Sequence, residues 1–187
     1  MDPFSYLSVL ISIILGMGIT QLLTGFGRLL QARQRTRIYW PAVAWVGLLL
    51  LIHVQTWWTM FGLRNRSDWT FGAFLIVLLQ PAVLYLMSAL VLPDFSGSAP
   101  VDLRENYFDH SRWFFALAVL VLIVSVTKDL ALYGALPERV NIAAHGVFLV
   151  LWAAAIWTRS DGYHRFLAPC TAAVFVAYVV VLFTRLR

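Results

Sequence analysis

The chain has 187 residues, of which 61% are hydrophobic and 12% charged, and its mean hydropathy is +0.79. Soluble domains carry roughly a quarter charged residues, so this composition excludes an ordinary soluble protein and predicts an all-α integral membrane protein. The net charge of +5 comes from cations at the ends of apolar runs, without a basic stripe that interleaves aromatics, which excludes a nucleic-acid-binding surface.

Six apolar runs are long enough to cross a bilayer, since about 20 helical residues span about 30 Å of hydrocarbon. The first run lacks a preceding basic flank and a small-residue cleavage site, so it is interpreted as a retained helix and not as a signal peptide. The chain is therefore predicted to be a single transmembrane domain, residues 1–187, built as a polytopic bundle of about six helices. The predicted spans are 4–30, 40–61, 69–92, 113–133, 140–158 and 166–184.

The first span carries a small residue at every fourth position, namely Ser8, Ser12, Gly16 and Thr20. Small residues at this spacing let two helix backbones approach closely in lipid. We expect this face to be buried against protein, either in the same chain or in a second copy.

The second and third spans contain polar residues at their centres. His53, Gln55 and Thr56 interrupt the apolar run "LLLLIHVQTWWTM", and Gln80 precedes Pro81 in the middle of span three. Proline removes one helical hydrogen bond and frees a carbonyl, so we expect a kink at Pro81.

The longest connection, residues 93–112, starts with turn residues and then takes on a helical pattern. Its apolar and acidic residues fall on different faces, which predicts a short interfacial helix between spans three and four.

Arginines in the first connection indicate the orientation. Four of them lie in the segment "GRLLQARQRTR", at residues 27–37, and cytoplasmic connections are enriched in Lys and Arg. Both termini are therefore expected to be periplasmic. Thirteen of the fourteen cations are arginine, a hint of a GC-rich genome, and we expect a multi-pass protein of a bacterial inner membrane.

A short internal echo follows spans two and five, where the letters RSD occupy 66–68 and 159–161. The echo is compatible with two inverted three-helix halves, an arrangement that is common in secondary transporters.

Depth along the predicted helices places polar residues of several spans in one half of the bilayer, at 1.5 Å per residue. A charge in hydrocarbon costs at least about 2.5 to 3.5 kcal/mol, so Lys128 and Asp129 need a partner or water. Asp129 is expected to pair with Arg139 or His145. The alternative is that these polar groups only hydrogen-bond neighbouring helices. The residues predicted to line a polar vestibule are His53, Gln55, Thr56, Gln80, Lys128, Asp129, Asn141 and His145.

These features favour a small channel or transporter whose vestibule responds to protons, because histidine titrates near neutral pH. The main alternative is a non-catalytic membrane subunit or assembly protein. Less favoured are a b-type haem protein that uses His53 and His145 as ligands, and a lipid-modifying enzyme, for which no catalytic motif is present. We predict no enzyme activity, no cofactor and no metal site, and a homo-oligomer or other membrane helices as partners.

Overall fold

The computed structural model describes residues 3–66, 68–95, 97 and 99–182, and six long helices account for most of them. Each of the six is long and apolar enough to cross a membrane. Two single-turn 3-10 helices, Arg33–Arg35 and Phe61–Asn65, follow the first and second of them. The long helices are α1 (Pro3–Gln31), α2 (Trp40–Met60), α3 (Phe71–Leu90), α4 (Leu103–Tyr133), α5 (Arg139–Trp157) and α6 (Asp161–Leu182).

Two helices begin earlier than their apolar runs predict. The helix α4 starts at Leu103, so the interfacial helix expected between spans three and four is instead the first turns of α4. The side chain of Asp102 starts this helix by accepting hydrogen bonds from the backbone N–H groups of Arg104 and Glu105. The helix α6 likewise starts at Asp161 and not at residue 166.

The helices form a closed ring in which α1, α3, α4, α5, α6 and α2 each pack on the next, and α2 returns to α1. The two halves of the chain do not pack alike: α1 lies along α3, whereas α4 and α6 lack an equivalent extended approach. The packing therefore gives no sign of the two inverted three-helix halves.

The core is centred on Trp45 of α2, which is fully buried. Its ring centroid lies 5.2 Å from that of Phe114, 5.4 Å from that of Phe115 and 6.3 Å from that of Trp152. Edge-on aromatic contacts at these distances are favourable beyond the apolar area they bury. This cluster joins α2, α4 and α5 near the start of α2 and the end of α5.

The face of α1 that packs in the bundle is aliphatic and differs from the small-residue face. Leu7, Ile11, Leu15, Gly18 and Leu22 are buried. On the predicted face, positions 12 and 20 are exposed and positions 8 and 16 are partly exposed. Of the two alternatives for the small-residue face, the structure does not show packing inside the chain, and packing against a second copy stays a prediction.

The connections α1–α2, α3–α4 and α5–α6 meet at one end of the bundle, which we call the tied end. There β1 (Thr36–Arg37) pairs in parallel with β2 (Val101–Asp102). The guanidinium group of Arg35 donates hydrogen bonds to the carbonyl oxygens of Phe95, Gly97 and Ala99.

The carboxylate of Asp161 extends these links to the α5–α6 connection. It lies 3.1 Å from Nε of Arg104 and 2.6 Å from Nε of Arg165. Backbone pairing and ion pairs therefore hold all three connections of the tied end together.

Candidate functional site

A cavity of about 230 Å³ lies between α2, α3, α4, α5 and α6, toward the end of the bundle opposite the tied end. Pockets for drug-sized ligands occupy roughly 300 to 1,000 Å³, so this one suits a smaller solute or a few waters. Seven of the eight residues predicted to form a vestibule line it: Gln55, Thr56, Gln80, Lys128, Asp129, Asn141 and His145.

Lys128 of α4 reaches across the cavity to α3. Its ammonium group donates a hydrogen bond of 2.9 Å to Oε1 of Gln80. Gln80 is itself buried and precedes Pro81, which lies inside the continuous helix α3. An ammonium group has three N–H donors, and within the described residues only this one has a protein partner. Two donors therefore remain for water or a ligand.

Asp129 follows Lys128 on the same helix, but the two side chains do not form an ion pair. Adjacent helical residues point about 100° apart, which separates their charged groups. The predicted pairing of Asp129 with Arg139 or His145 is also absent from the ion pairs of the described residues. Arg139 is exposed at the start of α5, while Asp129 remains within electrostatic range of Lys128 and His145.

His145 of α5 has a defined tautomer. Its Nδ1 lies 2.9 Å from the carbonyl oxygen of Asn141, and because a carbonyl only accepts, Nδ1 carries the proton. The Nε2 atom of the neutral ring is then an acceptor. The hydroxyl of Tyr178 donates to Oδ1 of Asn141 at 3.2 Å, so α5 and α6 are joined at the cavity wall.

Gln55 and Thr56 line the cavity from α2. Thr56 is only 1% exposed, and its Oγ1 has no hydrogen-bond partner within the described parts of the chain. A buried hydroxyl without a partner costs about 1–3 kcal/mol, so Thr56 is the cavity residue with the clearest need for one.

His53 is the exception among the predicted residues, because it does not line the cavity. It is fully buried on another face of α2, where Nδ1 donates to the carbonyl oxygen of Leu49 at 2.7 Å and Nε2 lies 3.4 Å from Oγ of Ser88. Gly18 of α1 lies directly against Nε2. This packing leaves no room for an iron atom at Nε2, so the haem hypothesis with His53 and His145 as ligands does not fit.

Aromatic residues separate the cavity from the tied end. Phe148 and Trp152 line the cavity, and Trp152 packs on Trp45. Beyond them lies a gap of about 10 Å³ that is bordered by Trp45, Phe114 and residues near the start of α4. The cavity therefore approaches one end of the bundle and is closed toward the other.

Four polar residues of the cavity wall escaped the sequence analysis: Thr59, Ser125, Tyr133 and Tyr178. Tyr178 could have been found, because it lies near the end of α6 at a depth that matches Asn141 near the start of α5. The others sit among apolar neighbours, and only the rotation of each helix shows that they face inward.

Comparison of the chain with protein-family models, with curated proteins and with solved structures finds no significant match. A functional conclusion must therefore rest on the geometry of the cavity.

Proposed function

We propose that this chain is a multi-pass inner-membrane transporter that binds a small polar solute in the cavity lined by α2, α3, α4, α5 and α6. The observation that carries the proposal is the convergence of an ammonium, a carboxylate, two amides and an imidazole from three helices: Lys128, Asp129, Gln80, Asn141 and His145. A charge in hydrocarbon costs at least about 2.5 to 3.5 kcal/mol, and grouped ionisable residues inside membrane helices mark solute or ion pathways.

The closure of the cavity favours a carrier over a permanently open channel. The aromatic cluster of Trp45, Phe114, Phe115 and Trp152 blocks the direct route to the tied end. A carrier that alternates its access has such a closed side in each of its states. In the proposed orientation the arginine-rich tied end is cytoplasmic, so the cavity faces the periplasm.

Accessibility to a water-soluble reagent tests whether the cavity is wet in a membrane. In a Cys170→Ser background, Ser125→Cys places a thiol in the cavity wall, and Thr127→Cys places one on the exposed side of α4, nearer the helix end. A membrane-impermeant thiol reagent should label position 125 and not position 127. Equal labelling of both positions, or of neither, would contradict a wet cavity.

Uptake into proteoliposomes tests transport itself, with small labelled solutes of net charge zero, +1 and −1. At least one solute should enter faster than in protein-free liposomes. Lys128→Met should abolish that difference, whereas Arg33→Ala, at an exposed site of the tied end, should not. If no solute enters faster, or if both variants behave alike, the transport proposal fails.

A second candidate function is that of a non-catalytic membrane subunit, which the exposed face of α1 favours. This face carries Ser12, Gly16 and Thr20, and a Cβ on Gly16 would meet nothing within 4 Å. Small residues on an exposed helix face allow close approach of another helix. Disulfide trapping through Thr20→Cys in the Cys170→Ser background should then give dimers in native membranes, while Met17→Cys, at an exposed position about 100° round the helix from Gly16, should give fewer.

A further inference from the structure

From the arrangement of charges in the cavity we infer that the solute is a small zwitterion with an apolar side chain, of the α-amino acid type. This inference rests on the proposed function and specifies its substrate class. It depends on three properties of the cavity. These are two charges of opposite sign without an ion pair, free hydrogen-bonding groups around each charge, and an apolar part of the wall.

The first property is that Lys128 and Asp129 present one charge of each sign to the same cavity without an ion pair between them. Nor does either side chain form an ion pair with any other group in 3–66, 68–95, 97 and 99–182. A solute with a single charge would satisfy one of them and leave the other unpaired. A zwitterion satisfies both, and the site as a whole stays neutral.

The second property is the set of free hydrogen-bonding groups around each charge. The Lys128 ammonium keeps two donors after its bond to Gln80, and these suit a carboxylate. Asp129 of α4 and Nε2 of the neutral His145 ring of α5 supply acceptors, which suit an ammonium group. Lys128 and Asp129 both line this one cavity, so a single small molecule can contact both groups.

The third property is the aromatic and aliphatic part of the cavity wall, formed by Ile52, Leu122, Phe148, Trp152 and Phe175. Against these residues an aliphatic side chain would bury apolar surface. The volume of about 230 Å³ limits the solute to the size of a single amino acid.

Three compounds with nearly the same hydrocarbon chain test this inference by calorimetric titration of the protein in nanodiscs. They are leucine, 3-methylbutylamine, which lacks the carboxylate, and 4-methylpentanoate, which lacks the ammonium group. Leucine should bind, and each single-charge compound should bind about tenfold or more weakly, since a hydrogen bond to a charged group typically contributes that much. The inference is overturned if either single-charge compound binds as tightly as leucine, or if none binds.

Two variants should replace the preference for leucine by a preference for one of the single-charge compounds. Asp129→Asn removes the negative charge, so 4-methylpentanoate should bind at least as tightly as leucine. Lys128→Met removes the positive charge, so 3-methylbutylamine should bind at least as tightly as leucine. A changed preference cannot arise from misfolding, and loss of all binding in a monodisperse variant would contradict the assigned roles.

The accessibility experiment separates the inference from the function on which it rests. Labelling of Ser125→Cys with no discrimination among the three compounds rejects the zwitterion and leaves the wet cavity standing. Absence of labelling rejects both.

Discussion

Gly18 on α1 and His53 on α2 lie in direct contact: a Cβ added to Gly18 would lie 2.3 Å from Nε2 of the imidazole. The contact fixes how closely α1 approaches α2, and Ser88 of α3 meets the same nitrogen at 3.4 Å. His53 therefore sits where three helices join, and its polar atoms are used in packing.

Gly18→Ala should destabilise the bundle by about 1–3 kcal/mol, the usual cost of overpacking a filled core. The methyl group would push the ring away from Ser88 and Leu49. Thermal unfolding of the purified protein in detergent measures the effect. The matched control is Gly16→Ala, where the added Cβ meets nothing within 4 Å and stability should be unchanged or slightly increased. Equal destabilisation by the two variants would contradict the contact.

The hydrogen bond from Lys128 to Gln80 predicts a strong coupling between the two positions. Gln80→Met alone should cost about 1–3 kcal/mol, because it leaves a buried ammonium group without its partner. The double variant with Lys128→Met should be more stable than Gln80→Met alone, because no charge is then left unpaired. A double-mutant cycle of unfolding free energies gives the coupling, and additive effects would argue against the bond.

Asp102 predicts a pH-dependent contribution to stability at the start of α4. Burial by itself would raise the pKa of this carboxyl, but the N–H groups of Arg104 and Glu105 and the charge of Arg37 outweigh it, so the pKa is lowered. A lowered pKa means that the carboxylate stabilises the fold above its ordinary pKa near 4, and that this contribution is lost as the pH falls through the lowered value.

Asp102→Ala should therefore cost about 1 kcal/mol at pH 7, and the difference from the unaltered protein should shrink as the pH falls below about 4. Asp102→Asn, which keeps an accepting oxygen, should cost less than the alanine variant at pH 7. Unfolding midpoints over this pH range measure the effect, and a difference that is independent of pH would contradict the role of the carboxylate.

The position of Trp45 predicts that its side chain blocks the passive leakage of small solutes through the bundle. In the proposed transporter, Trp45→Ala should join the cavity to the small gap beyond it and raise the passive entry of small solutes into proteoliposomes. Trp45→Phe keeps an aromatic ring and should leak less. Trp113→Ala is the control for loss of a tryptophan, because Trp113 is 69% exposed on the outside of α4. Unchanged leakage in a folded Trp45→Ala variant would mean that another layer closes the bundle.

The sequence was sufficient to predict the six long helices. Runs of apolar residues predict six helices, and each observed helix overlaps one predicted span. The apolar runs place the starts of α4 and α6 too late, because the first turns of both helices are polar: the turns before span four are predicted as a separate short helix, and those before span six as a connection. Tyr107 and His164 lie in these turns. The structure joins them, with the hydroxyl of Tyr107 3.0 Å from Nδ1 of His164, and so satisfies both groups inside the bundle.

The rotation of each helix about its axis could not be predicted from depth alone. Ile52 and Thr56 face the cavity, while His53, about 100° round the helix from Ile52, faces α1 and α3. All three lie at similar depth in a helix that is apolar on every side, so its pattern gives no preferred face. The same ambiguity left open whether the small-residue face of α1 packs inside the chain or against a second copy, and the structure leaves that face exposed or partly exposed.

The hydrogen bonds of Arg35 at the tied end form late during synthesis of the chain. Its carbonyl partners, Phe95, Gly97 and Ala99, emerge from the ribosome 60 or more residues later, after α2 and α3 have been made. The parallel pairing of Thr36 with Val101 has the same delay. The first connection is therefore held in place only after the α3–α4 connection has been made, and nascent chains that stop short of residue 95 lack all three of these hydrogen bonds.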